Sequence, residues 1–381
     1  MSVYIDSEKE LVRIAKRENN SKRGYLIVNP LQGKHVPVSP GAAFALFDRL
    51  AAVVESAYPG ETLLLAGFAE TATAIGAYLA VRLSSLYIQT TREVVDGAEY
   101  LYFTESHSHA TEQKLVRDEL DEMIGRAGRI IFVEDEVTTG NTILGIMDLM
   151  EKRYPGRTAF SVASLLNGMD DTALARYRER GTGLHYLVKT SHQGYERQAE
   201  QVPENGRYFE KNVSRPSVRV QTAVLAGCPD ARRCLSGPRY LEACEALWEK
   251  VRLRNDFSGA GSVLVLGTEE FMFPAMYIAE KIEKSGRNVR CHATTRSPIA
   301  VSCLEGYPLF ARYALESLYE DGRKTYIYNL KKYDCVLIFT DAKEPREAGV
   351  RSLINAVSSC GNQSIFLYVC RESIALRNGD S

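Results

Sequence analysis

The sequence predicts an α/β protein built on parallel sheets, in two successive domains. Three observations carry this. Short apolar runs of the buried-strand type, such as 62–66, 130–133 and 159–166, alternate with segments of amphipathic helical spacing. A length of 381 residues suits two domains of ordinary size, or three. Strand-and-turn signatures of the first half also recur, in the same order, in the second.

Composition narrows the class. Hydrophobic residues make up 45% and charged residues 25%, the balance of a folded chain rather than a disordered one. The formal net charge is −1 and no basic stripe stands out, so no nucleic-acid partner is expected. The first residues lack the basic-then-apolar pattern of a signal peptide. No apolar run approaches the ~18 residues of a membrane span. A cytoplasmic protein with no membrane partner is the expectation. Eight cysteines fit that compartment as reduced thiols. Cys228, Cys234 and Cys244 are too widely spaced for a zinc knot.

Along the chain, 2–22 mixes polar and apolar residues at helical spacing. A strand is expected over 24–28, then a turn-rich loop, 29–37. Ser39 and Pro40 signal the start of a helix whose body runs over 42–58 and stops at Pro59-Gly60. The strand 62–66 turns at 67–71 into a helix over 72–83. A strand over 85–90 leads into a long polar region from Thr91 to about Leu115. A helix over 116–124, the strand 130–133, a helix over 142–152 and the strand 159–166 complete the first alternation. From about Thr190 to Arg239 the pattern weakens to a connector with short strands such as 218–225. Alternation resumes at Leu241. The boundaries expected are 1–195, a connector 196–240, and 241–381. Ligands on such sheets bind at the strand carboxyl ends, which singles out the loops after Ala66, Thr90 and Val133.

The echo between the halves has three parts. LLAGFAE (64–70) matches VLGTEE (265–270). TTR (90–92) matches TTR (294–296). IIFVED (130–135) matches VLIFTD (336–341). These predict either a duplicated fold or convergence of two α/β domains. The third match diverges beyond its aspartate. After Asp135 comes TTG-type phosphate-binding sequence; after Asp341 comes AKEPRE. A related second half would have lost that phosphate site.

The segment IIFVEDEVTTGNT (130–142) carries the chemistry. Its strand delivers Glu134 and Asp135, and the loop Val137, Thr138, Thr139, Gly140, Asn141, Thr142 leads straight into a helix. Backbone N–H groups, hydroxyls and the helix N-terminus can together hold one phosphate. The carboxylates beyond it can accept hydrogen bonds from two vicinal hydroxyls. A sugar 5-phosphate with free 2- and 3-hydroxyls meets both demands. The bland alternative, an acidic strand end before a capped helix, suits a lone acidic pair better than the whole pattern.

This segment resembles the PRPP signature of type I phosphoribosyltransferases. The resemblance implies a Rossmann-like, parallel-sheet phosphoribosyltransferase domain in which Glu134 and Asp135 contact the ribose hydroxyls. It implies that Thr138 to Thr142 bind the 5-phosphate. Glu136 departs from the family, which usually has an apolar residue there. The turn Phe68, Ala69, Glu70, Thr71 looks like the family's pyrophosphate loop; alone it would pass for a plain β-to-α turn. Arg92 could neutralise the leaving pyrophosphate, or be an ordinary surface arginine. Glu105, His107 and His109 occupy the place of the catalytic loop, as acid/base groups or pyrophosphate contacts, with a solvated loop as the alternative.

Lys34 and His35 suit an acceptor-base pocket or a phosphate contact, and a surface turn explains them nearly as well. TRSP (295–298), with these and the paired histidines, makes the chain resemble bacterial phosphoribosyltransferases fused to a C-terminal TRSP domain, found in tellurium-resistance operons. The match would span about 24–215 and 258–370. Glu270, Arg296 and Ser297 are then candidates for a second site, or parts of a structural turn. The resemblance implies synthesis of a nucleoside-like metabolite from PRPP and a small base-like acceptor. Mg²⁺ is expected as cofactor, held through PRPP oxygens because no carboxylate cage is evident, and a homodimer is the assembly expected. Two rivals stay open: a PRPP sensor that does not turn over, and a two-site enzyme with separate chemistry in the TRSP half.

Overall fold

The computed structural model describes residues 8–18, 20, 23–103, 113–156, 159–210 and 218–372. In chain order the elements begin with α1 (Glu8–Leu11), β1 (Arg13–Lys16), β2 (Tyr25–Val28), α2 (Pro40–Ala57), β3 (Leu63–Gly67), α3 (Thr73–Arg82) and β4 (Leu86–Gln89). They continue with β5 (Tyr100–Phe103), β6 (Gln113–Val116), α4 (Leu120–Arg126), β7 (Arg129–Val137), α5 (Asn141–Arg153), β8 (Ala159–Asn167), α6 (Asp171–Glu179) and β9 (Gly183–Lys189). Next are α7 (Tyr195–Glu200), β10 (Arg207–Phe209), β11 (Val220–Ala226), β12 (Leu235–Ser236), α8 (Gly237–Arg252), β13 (Ser262–Gly267), α9 (Phe273–Lys284) and β14 (Asn288–Ala293). The last described elements are β15 (Ala311–Glu316), β16 (Lys324–Tyr328), β17 (Cys335–Thr340), α10 (Glu347–Ser359) and β18 (Ile365–Arg371).

These form two compact units. The first comprises mainly Phe44–His192 with Asp230–Glu242; the second comprises Lys9–Ala43, Gln193–Pro229 and the chain from Ala243. The first unit is organised by a six-stranded sheet of order β12-β4-β3-β7-β8-β9, parallel except for β12. β3 and β4 are buried along their whole length, which is why they read as continuous apolar runs rather than alternating ones. Gly76 lets α3 approach β3 closely: a Cβ there would stand 3.0 Å from Gly67 Cα and 2.9 Å from the Tyr87 ring.

The second unit holds a five-stranded parallel sheet, β11-β18-β17-β13-β14. Leu264, Leu266, Val336, Ile338, Leu353 and Val357 are central to its core. Taken from the other edge, its strands β14-β13-β17-β18 repeat the order β4-β3-β7-β8. The echo extends to individual bonds. Thr90 N–H donates to Gly67 O at 2.9 Å, and Thr294 N–H to Gly267 O at 3.2 Å. Ala69 N–H donates to Thr90 Oγ1 at 2.8 Å, and Glu269 N–H to Thr294 Oγ1 at 2.9 Å. Each unit also has an antiparallel hairpin, β5–β6 in one and β15–β16 in the other.

Several local expectations need correction. Helical spacing over 2–22 gives, where described, only the short α1 and then β1, which pairs antiparallel with β2. Sheet pairing overrides a weak helical preference there. The polar region after Thr91 contains the β5–β6 hairpin, so the helix expected from 116 begins at Leu120. The strand expected over 130–133 runs on to Val137, because β8 continues to pair with it as far as Asn167. The strand expected over 218–225 is β11, which lies against β18 along its full length.

Candidate active site

The carboxyl ends of β3 and β7, neighbours in the first sheet, bring most of the predicted residues together. Glu134 and Asp135 lie in the second half of β7 and are half-buried. Side chains alternate along a strand, so Glu134 shares a face with Glu136, and Asp135 points the other way. There Thr71 Oγ1 donates to Asp135 Oδ1 at 2.9 Å, tying the turn after β3 to the acidic strand end.

That turn is itself held from below. Phe68 is 1% exposed and its N–H donates to Val133 O at 3.0 Å. Thr90 Oγ1 accepts from Ala69 N–H and donates to Gln113 Oε1 at 2.6 Å. Gln113 Nε2 closes the ring by donating to Ala69 O at 3.0 Å. Phe68, Ala69 and Glu70 are buried, and the Ala69–Glu70 peptide is cis. Thr90 and Gln113 were not legible as site residues. An isolated threonine and glutamine carry no motif, and only the fold aims both at one peptide unit.

After β7 the chain passes Thr138 and Thr139, both half-buried, to Gly140, the residue before α5. Gly140 has φ +68°, which favours glycine. It also has no room for a side chain: a Cβ would lie 2.5 Å from Tyr177 Oη and 2.9 Å from Met169 Cε. The Tyr177 hydroxyl donates to Gly140 O at 2.7 Å, and burial pushes its pKa upward. Arg176 Nη2 donates to Asn141 Oδ1 at 2.9 Å and Thr139 O at 3.3 Å. So α6 braces the loop through two consecutive side chains that carry no signal in the sequence. Asn141 itself is exposed, Thr142 is half-buried, and buried Val137 accepts through its carbonyl from Gly168 N–H at 2.7 Å. The result is a fixed turn at a helix N-terminus beside two carboxylates. Chemically it suits an anion next to a diol.

Glu136 faces His192, Oε1 to Nε2 3.3 Å, with both side chains largely covered. That polar pair occupies a position where an apolar residue was the family expectation. Arg92 is half-buried just beyond β4. Glu105, His107 and His109 lie outside the described residues.

The remaining candidates gather in the second unit. Lys34 and His35 are 0% and 2% exposed, so they are not a surface turn. Lys34 Nζ donates to Glu269 O at 2.7 Å and Thr294 O at 2.9 Å. Arg296 bridges two buried carboxylates, Nε to Glu269 Oε2 at 2.8 Å and Nη2 to Glu270 Oε1 at 3.0 Å. Arg323 Nη1 reaches the same Glu269 oxygen at 2.8 Å, and Ser317 Oγ donates to Glu269 Oε1 at 2.6 Å. Ser297 contributes backbone: its carbonyl accepts from the Tyr328 hydroxyl at 2.7 Å. In the first unit the phosphate-type loop joins β7 to α5; the corresponding connection in the second unit, from β17 to α10, is 341–346. Arg346 N–H donates to Leu318 O at 3.0 Å, and a Cβ on Gly349 would collide with Ser317 O. The start of α10 is therefore packed against 317–318 of its own chain.

Comparison with known proteins gives two family matches. Residues 11–193 match a phosphoribosyl transferase family, PRTase_2. Residues 239–357 match the TRSP domain found C-terminal to PRTase_2. No curated protein matches the sequence. Among solved structures, the chain is similar to the adenine phosphoribosyltransferase of Leishmania tarentolae, at 17% identity over 50% of this chain and 88% of that one, TM-score 0.36. It is also similar to the Giardia lamblia APRTase complexed with 9-deazaadenine, at 16% identity over 50% of this chain and 99% of that one, TM-score 0.34. A third is the Trypanosoma brucei adenine phosphoribosyl transferase complexed with AMP, pyrophosphate and ribose-5-phosphate, at 16% identity, covering 48% and 77%, TM-score 0.35. The two family matches, in this order along one chain, make the protein an enzyme of the phosphoribosyl transferase family that carries a C-terminal TRSP domain.

Proposed function

We propose that the first unit transfers ribose 5-phosphate from PRPP to a base-like acceptor, or runs the same reaction in reverse. The observation that carries this is the joining of the acidic end of β7 to the turn after β3 by Thr71 and Asp135, on the strand that runs directly into the Gly140 loop. In this reading Glu134 and Asp135 accept hydrogen bonds from the ribose hydroxyls. Thr138, Thr139, Asn141 and Thr142 surround the 5-phosphate at the start of α5. The amides of Phe68 and Ala69 are engaged within the protein, so the pyrophosphate falls to the positions from Glu70 onward, with Arg92 as a neutralising charge.

The bond from ribose C1 to pyrophosphate breaks, and its electron pair leaves with pyrophosphate. The acceptor nitrogen bonds to C1 and gives up its proton. The protein's part is to fix the reactants and balance both developing charges. Among the described residues no group of three or more His, Cys, Asp or Glu could hold a metal ion. In this reading Mg²⁺ enters on PRPP oxygens rather than in a protein cage. Bound there, Mg²⁺ would stabilise the charge of the leaving pyrophosphate. A nucleoside-like product, a tellurium-resistance setting, a cytoplasmic location and a homodimer are finer expectations of the same proposal.

The test is calorimetric PRPP binding with and without Mg²⁺, then pyrophosphate release against a panel of nucleobases and base-like acids. Mg²⁺-dependent binding with release for one acceptor is expected. Retained binding after Glu134→Ala with Asp135→Ala would remove the site assignment. Binding without turnover on any acceptor would favour a sensor.

A further inference from the structure

The second unit has a cavity of about 500 Å³ that none of the chemistry above uses. It opens at the amino ends of β13 and β14, where Ser262 and Asn288 line it. That is the opposite end of the sheet from Glu269, Glu270 and Arg296. Its wall carries four cations, Arg13, Arg290, Lys331 and Lys332, and two aromatic rings, Phe310 and Tyr333, and no carboxylate.

The charges are only partly offset locally: the Asp334 carboxylate, its pKa held down first by hydrogen bonds from Ser262, is also attracted by the Lys332 ammonium. Among the described residues none of the four cations forms an ion pair with a carboxylate. Arg13 donates to the Lys9 and Val12 carbonyls, and among the described residues no carboxylate pairs with it. Lys331 Nζ stands 5.9 Å from the centre of the Phe310 ring. The carboxylate nearby in sequence, Asp334, accepts from Ser262 N–H at 2.8 Å and Ser262 Oγ at 3.0 Å. In a chain of net charge −1, four cations around one concavity are a strong local departure. Such a wall concentrates polyanions. Its volume is that of a small-molecule site, and its aromatic side suits a planar ring.

We propose that this cavity binds a nucleoside polyphosphate, its phosphates against Arg13, Arg290, Lys331 and Lys332 and its base against Phe310 and Tyr333. The site is separate from the carboxylate pair of the first unit and does not depend on what that pair binds.

The test is calorimetric titration of the full chain with ATP, with tripolyphosphate and with adenosine. One ATP per chain is expected to bind at this site, more tightly than either fragment. Arg290→Ala with Lys332→Ala should weaken that binding roughly 10-fold or more, without changing the melting temperature. Lys284→Ala with Arg351→Ala removes equal charge from exposed helix surfaces and should leave it unchanged. Absence of saturable ATP binding, an equal loss in the control pair, or tripolyphosphate binding as well as ATP would each overturn the proposal.

Discussion

Thr71 Oγ1 lies 2.9 Å from Asp135 Oδ1 and donates to it, so the acidic end of one strand is oriented from the turn of its neighbour. Thr71→Val keeps the shape and removes the donor. PRPP affinity should fall roughly 3- to 10-fold, the value of one hydrogen bond, and Thr71→Ser should restore most of it. Calorimetry measures both. Unchanged affinity in the valine variant would separate Asp135 from PRPP recognition.

Two glycines of one segment should respond in opposite directions. At Gly140 an alanine meets both a positive φ of 68° and the Tyr177 hydroxyl at 2.5 Å. Gly140→Ala should cost about 2–4 kcal/mol. Gly145 lies inside α5 with no atom within 4 Å of its Cβ position. Gly145→Ala should stabilise by about 0.5–1 kcal/mol. Urea midpoints of the two variants read the contrast directly. A shift in the same direction for both would mean that the Gly140 loop relaxes freely.

How much of the fold and site is legible in the sequence depends on what each residue does. Glu134, Asp135 and the Thr138–Thr142 loop form one contiguous segment, so a linear reading finds them. The central strands themselves are visible too, because buried parallel strands are continuous apolar runs. Thr90, Gln113, Arg176 and Tyr177 are not visible, since each acts on backbone brought to it only by the fold. Lys34 misleads in another way. Loops rich in Gly and Pro usually lie at the surface, but this one places Lys34 at 0% exposure with two carbonyls on its ammonium. Glu105, His107 and His109 fall outside the described residues, so their roles rest on the sequence alone.

Glu269 tests the self-contained character of the second unit's cluster. It is 1% exposed and receives Arg296, Arg323 and Ser317. Glu269→Ala would remove the buried carboxylate that both guanidinium groups share, leaving Arg296 with Glu270 and Arg323 with Glu320. A loss of about 3–5 kcal/mol is expected from breaking the buried ion pairs. Thermal or urea unfolding measures it. A cost below about 1 kcal/mol would place the cluster in the class of solvated ion pairs.

His292 sets a pH dependence. Its ring is 2% exposed, with Nε2 2.9 Å from Tyr328 O, and burial pushes its pKa down to about 4 from an ordinary 6.5. The folded protein therefore holds the imidazole neutral between those values, while the unfolded chain takes up a proton. Unfolding is favoured as pH falls through that window, and the stabilisation is complete above about pH 6.5. Integrated over the window, the lost stability amounts to roughly 3 kcal/mol. Urea midpoints taken at several pH values across it should fall more steeply for the native protein than for His292→Gln, which removes the titrating group. Equal slopes would mean that the imidazole reaches solvent and that another group governs acid stability.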